Sequence, residues 1–116
     1  MGFLYVGLGG AIGAILRYTI SLIPVKTDFP ILTLITNVIG AFAIGVIVAL
    51  AVKYKMSDNV ILLLKTGVCG GFTTFSTFSL ESVNLLKSGR TSMAVIYAIL
   101  SLMLSVTAVM LGMKIK

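Results

Sequence analysis

The stretch Gly70-Gly71-Phe72-Thr73-Thr74-Phe75-Ser76-Thr77-Phe78 decides how this chain folds. It interrupts a segment that is otherwise long and apolar enough to cross a bilayer. Its two glycines and four serine or threonine residues suit a lipid-facing helix poorly. Because unpaired backbone groups in hydrocarbon are costly, a loosened helix here must be lined by protein, water or an ion. Membrane proteins place ion and substrate sites at such breaks, so the stretch predicts a permeation protein.

The composition is that of an integral membrane protein. Hydrophobic residues make up 59% of the 116 residues and charged residues only 10%, against about 25% charged in soluble domains. We expect one transmembrane domain over residues 1–116, with no room for a second. The net charge of +6 comes from nine scattered Lys and Arg residues. These residues are typical of anchors at the membrane surface and do not indicate nucleic-acid binding.

Four apolar segments, residues 2–23, 31–52, 60–86 and 91–113, predict four transmembrane helices in an all-α fold. Each is long enough to cross roughly 30 Å of hydrocarbon at about 1.5 Å per residue. Loops with proline, lysine and glycine separate them, and Ser57 or Asp58 is a plausible N-cap before the third. The third helix is predicted to be broken near the bilayer midplane. Small residues recur four apart, which favours close helix packing: Gly9 with Gly13, Gly10 with Ala14, Ala41 with Gly45, and Gly67 with Gly71.

The positive charges are almost evenly divided between the two membrane faces. One face has five, counting Lys65, and the other has four. This balance gives almost no orientation bias, because orientation follows the Lys and Arg asymmetry. We therefore predict insertion both ways up and an antiparallel dual-topology dimer. The charges are Lys53, Lys55, Lys65, Lys114 and Lys116 on the first face, and Arg17, Lys26, Lys87 and Arg90 on the second.

Two polar residues within the first two spans are candidates for function. An arginine at bilayer depth is unfavourable unless it snorkels or pairs, and Arg17 lies late in its span. An interfacial anchor and a pore vestibule are equally compatible with that position. Asn37 lies early in the second span, and its amide has two donor hydrogens and an acceptor oxygen. It is either an interhelical hydrogen-bonding residue or a donor to a passing anion.

The fourth span has a line of hydroxyl groups. Tyr97, Ser101 and Ser105 are each four residues apart, which places them on one helix face over about 12 Å. One serine would mean little, since serine often bonds its own backbone carbonyl at i−4. Three hydroxyls in register form a polar line through an apolar layer. The pattern favours the lining of a pathway.

The third span adds aromatic rings to this set. Phe75 and Phe78 share a face and alternate with Ser76 and Thr77 directly after the break. Aromatic rings have positive edges, so edges turned toward a pore can stabilise a small anion without holding it tightly. Histidine is absent, and Glu81 is the only acid inside a span. A proton-coupled pump, a transition-metal site and an enzyme are therefore disfavoured.

The sequence resembles the Fluc-type (CrcB-like) bacterial fluoride channels over nearly its whole length. Three motifs carry the resemblance: Gly9-Gly10-x-x-Gly13-Ala14-x-x-Arg17-Tyr18, Thr33-Leu34-x-x-Asn37-x-x-Gly40, and Gly67-x-x-Gly70-Gly71-x-Thr73-Thr74-Phe75-Ser76-Thr77-Phe78. The third is highly specific, and all three occur in the right spans and order.

The resemblance implies a fluoride-selective channel in the bacterial plasma membrane that exports toxic cytoplasmic fluoride by passive flow. It implies an antiparallel homodimer in lipid with two pores. It also implies a structural Na⁺ at the dimer interface, bound by the backbone carbonyls of Gly70 and Thr73. Arg17 matches a basic position of the family. The implied pore residues are Asn37, Phe75, Ser76, Thr77, Phe78, Tyr97, Ser101 and Ser105.

Two other classes are compatible with four short spans. A small multidrug-resistance-type exporter also has four spans and dual topology. Its mechanism resembles proton exchange through a carboxylate in the first span, and the first span here contains no carboxylate. A non-transporting assembly or regulatory subunit would explain the glycines. It would not explain the aligned hydroxyls or the polar break. Fluoride flux measured against chloride and proton-gradient controls discriminates among the three.

Overall fold

Helices make up most of residues 1–115, which are the residues that the computed structural model describes. Lys116, counted in the charge balance above, lies outside them. The elements are α1 (Gly2–Ser21), α2 (Ile31–Lys53), α3 (Asp58–Ile61), a π-helix (Leu62–Cys69), α4 (Gly70–Phe72), α5 (Phe75–Lys87) and α6 (Thr91–Met113).

Within residues 1–115, four stretches are long and apolar enough to cross a membrane, which confirms the four predicted spans. They are Gly2–Ser21, Ile31–Lys53, Asp58–Lys87 and Thr91–Met113. Ser57 is the N-cap of the third, because its Oγ accepts a hydrogen bond from Val60 N at 3.4 Å. Large apolar side chains cover much of the outer surface, and Phe3 is 98% exposed. Such a surface is compatible with a lipid surrounding.

The helices approach most closely where glycines face each other. α1 packs along the π-helix, and a Cβ added to Gly9 would lie 2.8 Å from Gly67 Cα. α2 packs along α6, where a Cβ on Gly45 would lie 3.1 Å from Gly112 Cα. Close packing at the predicted small residues is thereby confirmed for these positions. At Gly10, by contrast, a Cβ would meet nothing within 4 Å.

The third span is not a continuous α-helix. Its first half widens into the π-helix, and Thr73 and Thr74 are extended, with φ/ψ of −84°/155° and −149°/123°. Thr73 N still donates to Cys69 O at 3.0 Å, so the chain leaves the helix only after that bond. α5 then begins at Phe75. Two extended residues therefore lie between α4 and α5, within the quoted stretch.

Candidate functional site

The side chain of Asn37 pairs with the backbone between α4 and α5. Its Nδ2 donates to Thr74 O at 3.0 Å, and its Oδ1 accepts from Thr74 N at 2.8 Å. These two bonds replace the helical partners that Thr74 lacks. The structure thus shows an interhelical hydrogen bond at Asn37. Because an amide nitrogen has two hydrogens, the second remains for another acceptor.

Two further polar side chains bind carbonyls just before the extended residues. Arg17 Nε donates to Gly71 O at 3.1 Å from the facing helix α1. Thr73 Oγ1 donates to Cys69 O at 2.9 Å. The same carbonyl also accepts a hydrogen bond from the backbone N–H of Thr73. The bond to Gly71 gives Arg17 a supporting role that neither the anchor nor the vestibule interpretation included.

Thr74 caps the start of α5 through its hydroxyl. Thr74 Oγ1 accepts from Thr77 N at 3.1 Å, and it lies 3.2 Å from both Ser76 Oγ and Thr77 Oγ1. An N-cap side chain satisfies a backbone donor that has no partner inside the helix. The predicted pore hydroxyls of Ser76 and Thr77 therefore take part in the cap of α5.

A cavity of about 520 Å³ lies beside the extended residues, between α2, α5 and α6. Five predicted pore residues line it together with Thr73, and most of its other lining residues are aliphatic. Phe75 is 80% exposed, and its ring centroid lies 5.5 Å from that of Phe78. Ser76, Thr77, Tyr97, Arg17 and Gly70 are not among the lining residues. The predicted residues that line it are Asn37, Phe75, Phe78, Ser101 and Ser105.

The three hydroxyl-bearing residues of the predicted line, Tyr97, Ser101 and Ser105, lie in two different surroundings. The Ser101 Oγ atom is buried and has no hydrogen-bond partner among the described residues, and Ser105 lines the same cavity. Tyr97 is fully buried instead, and its hydroxyl donates to Glu81 Oε1 at 2.8 Å. A buried hydroxyl without a partner is unusual and marks Ser101 as a candidate for contact with a ligand.

Glu81 receives hydrogen bonds on both carboxylate oxygens. Thr33 Oγ1 donates to Oε2 at 3.1 Å, and Tyr97 donates to Oε1. The Tyr97 ring also packs against Phe78 at a centroid distance of 4.9 Å and against Phe29 at 5.5 Å in an edge-to-face arrangement. Sequence reasoning did not assign Thr33 or Glu81 to the site. The available signal was a lone acid inside a span, which needs hydrogen-bond donors nearby.

Of the two predicted cation ligands, Gly70 is the first residue of α4 and Thr73 directly follows α4. Gly70 is exposed at the surface of the single chain, and Thr73 is half-buried. Thr73 follows the last residue of α4 with an extended backbone, so its carbonyl lies outside the regular helical hydrogen-bond ladder. Carbonyl oxygens suit hard cations. Among the described residues, no group of three His, Cys, Asp or Glu side chains offers a metal site.

Four apolar spans, the third of them interrupted, with hydroxyls, an amide and phenyl rings along one cavity, define a small multi-pass membrane protein with a polar site. The chain belongs to the CrcB family. The family model described as CrcB-like protein, Camphor Resistance (CrcB), matches residues 4–113.

Relatives from several bacteria match most of this chain. A protein of Azobacteroides pseudotrichonymphae is 40% identical over 111 residues, which are 92% of this chain and 89% of the relative. One of Ruminiclostridium cellulolyticum is 45% identical over 111 residues, 92% of this chain and 85% of the relative. One of Clostridium perfringens is 43% identical over 116 residues, 97% of this chain and 91% of the relative. All three are named fluoride-specific ion channel FluC, a channel name and not an enzyme name.

Proposed function

We propose that this protein is a fluoride-selective channel that lets cytoplasmic fluoride leave the cell passively. The observation that carries the proposal is the cavity that joins Asn37, Phe75, Phe78, Ser101 and Ser105. Its lining combines an amide side chain with a second N–H to donate, a serine whose buried hydroxyl has no partner among the described residues, and two phenyl rings. The names of the relatives support fluoride as the ion.

These groups suit a small, strongly hydrated anion. Fluoride gives up water only where donors replace it, and amide and hydroxyl hydrogens do so without fixed positive charge. Several weak sites allow both entry and exit, whereas one tight site would trap the ion. The positive edges of Phe75 and Phe78 add attraction of the same weak kind. Chloride is larger and accepts weaker hydrogen bonds, so a narrow path lined by donors disfavours it.

The pathway is proposed to be completed by a second copy in an antiparallel dual-topology homodimer with two pores. The exposed ring of Phe75 and the open side of the cavity support this proposal, because one copy leaves them uncovered. The interruption of the third span at Thr73 and Thr74 would then lie near the bilayer midplane, at the dimer interface. We place the dimer in the bacterial inner membrane as a single four-helix transmembrane domain per chain.

A structural Na⁺ at that interface is part of the same proposal. The carbonyls of Gly70 and Thr73 from each copy would hold it, since both residues are accessible to a partner on the single chain. Bound there, the cation would compensate the negative ends of carbonyl dipoles buried in hydrocarbon. The neighbouring side chains of Arg17 and Asn37 hold the backbone on either side by donating to Gly71 O and Thr74 O.

The test is fluoride efflux from liposomes that contain the purified protein, followed with a fluoride-selective electrode. Phe75→Ala and Asn37→Ala are expected to lower efflux about tenfold or more, which corresponds to about 1.4 kcal/mol of lost barrier stabilisation. Phe3→Ala is the matched control, because Phe3 is also exposed but lies at the start of α1. Chloride-loaded liposomes should retain their anion. Efflux of fluoride no faster than from empty liposomes, or equal efflux of chloride, would refute the proposal.

A further inference from the structure

A second cavity, with several polar and charged residues in its lining, lies where the loop between α1 and α2 meets the loop between α5 and α6. It has a volume of about 360 Å³ and extends from the loops inward to Thr33 and Glu81. Glu81 is the residue that also binds the buried Tyr97 hydroxyl. The cavity thus joins the loop surface to the polar cluster below it. Its polar and charged lining includes Asp28, Thr33, Glu81, Asn84, Ser88 and Arg90.

An ion pair lies in the lining of this cavity. Arg90 Nη1 is 2.7 Å from Asp28 Oδ2, and the two side chains are 44% and 68% exposed. Exposed pairs of this kind add little to stability, because water screens them and two long side chains must be held in place. The pair therefore calls for an explanation other than fold stability. The charge balance of the cavity provides one.

Among the described residues that line the cavity, Arg90 is the only cation; it pairs with Asp28, and Glu81 is the second carboxylate in the lining. With Arg90 present the lining has a net charge of −1, and without it the charge would be −2. With Asp28 removed instead, the remaining charges balance. An anion that approaches Glu81 from this side therefore meets a potential that Arg90 makes less negative and Asp28 makes more negative.

We propose that Arg90 is an anion-attracting residue at a mouth of the conduction pathway and that Asp28 limits this attraction. The inference rests on the proposed fluoride function and assigns to these two residues the control of anion access. The competing explanation is a mechanical clamp, in which the ion pair simply ties the two loops together. The two explanations predict different effects on fluoride efflux. If the pair is a clamp, loss of either residue should change efflux in the same direction. If the pair sets the electrostatic potential, loss of Arg90 and loss of Asp28 should change efflux in opposite directions.

The experiment compares fluoride efflux for Asp28→Asn, Arg90→Gln and the unaltered protein in liposomes at low and high ionic strength. A unit charge about 10 Å away in water changes the local concentration of a monovalent anion about twofold. We therefore expect Arg90→Gln to lower initial efflux about twofold and Asp28→Asn to raise it about twofold at about 10 mM salt. Both effects should vanish at about 1 M salt, where the screening length falls from about 30 Å to about 3 Å.

Two further variants control for net charge and for folding. Lys87→Gln removes the same charge from an exposed residue near Arg90 that does not line the cavity, so its effect should be smaller. Arg90→Lys keeps the charge and should keep the efflux. Efflux lowered by both Asp28→Asn and Arg90→Gln, effects that persist at high salt, or a Lys87→Gln effect equal to that of Arg90→Gln would each overturn the inference. These results require a conducting protein. Absence of fluoride efflux from the unaltered protein would refute the proposed function and this inference together.

Discussion

Replacement of Asn37 by alanine is the sharpest test of how the interrupted span is held. The variant removes both hydrogen bonds to Thr74, the one to its carbonyl at 3.0 Å and the one from its N–H at 2.8 Å. No other side-chain or loop hydrogen bond to these two atoms is present in residues 1–115. The backbone of Thr74 would be left with an unpaired donor and acceptor in an apolar surrounding.

The expected loss of stability follows from these two groups. An unsatisfied buried donor or acceptor costs about 1–3 kcal/mol, so the pair could cost about 2–6 kcal/mol. Asn37 and Thr74 are half-buried, not fully buried, which favours the lower end, about 2–3 kcal/mol. Since 1.4 kcal/mol is a factor of ten, protection of the Thr74 amide should fall about 30- to 150-fold. The thermal midpoint of the purified protein should fall by about 10 °C.

Amide hydrogen exchange at Thr74 and thermal unfolding in detergent measure the two quantities. Asn59→Ala serves as the control, because it deletes the same amide from an exposed position in α3 and should change neither. Unaltered protection at Thr74 together with an unaltered midpoint would show that Asn37 does not support the break. A loss of fluoride efflux in that circumstance would indicate a role in the pathway alone.

Three other substitutions have distinct expected outcomes. Tyr97→Phe leaves Glu81 Oε1 without its donor and should destabilise the fold by about 1–3 kcal/mol, so an unchanged thermal midpoint would contradict the observed bond. Ser101→Ala removes a buried hydroxyl that has no partner among the described residues, so stability should hold or rise while fluoride efflux falls severalfold; unchanged efflux would exclude Ser101 from the pathway. Gly13→Ala would place a Cβ against the backbone of the π-helix and α4 and should cost about 1–3 kcal/mol or more in unfolding experiments, whereas Gly10→Ala should be neutral. Equal behaviour of the two glycine variants would contradict the packing.

The spans were predictable from sequence because their signals are local. The ends of all four predicted spans fall within two residues of the observed helices. Hydropathy over about 20 residues, and the proline, lysine and glycine residues between the segments, are sufficient for that result. The same holds for Gly9 and Gly67, which were expected to pack closely because glycine permits backbone approach in lipid.

The π-helix was not predictable in the same way. Leu62–Cys69 contains leucines, a lysine, a glycine and other residues that fit an α-helix equally well. A π-helix differs by one residue per hydrogen-bonded turn, so no side-chain period marks it over eight residues. It lies along α1, where Gly9 and Gly13 permit close contact with its backbone. The π-helix therefore occurs where this segment packs closely against α1.

The partners of the polar residues were also beyond sequence reasoning. Thr33 and Glu81 are 48 residues apart, and Arg17 and Gly71 are 54 apart. Helix periodicity gives the face on which a residue lies, but not the depth at which two helices cross. The line of Tyr97, Ser101 and Ser105 shows the consequence. All three residues lie on α6, yet Tyr97 binds Glu81 while Ser101 and Ser105 line the cavity.

Support of the break and contact with the ion are assigned to overlapping residues, and this overlap has a physical reason. Hydrocarbon offers no hydrogen-bond partners, so a polar group placed there must find one in the backbone, in another side chain or in the ion. Asn37 can serve both, because one amide hydrogen binds Thr74 O and the other is available to the cavity that Asn37 lines. Ser101 binds no described residue. Substitutions should therefore separate into two classes: at Asn37 stability and conduction fall together, and at Ser101 conduction falls alone.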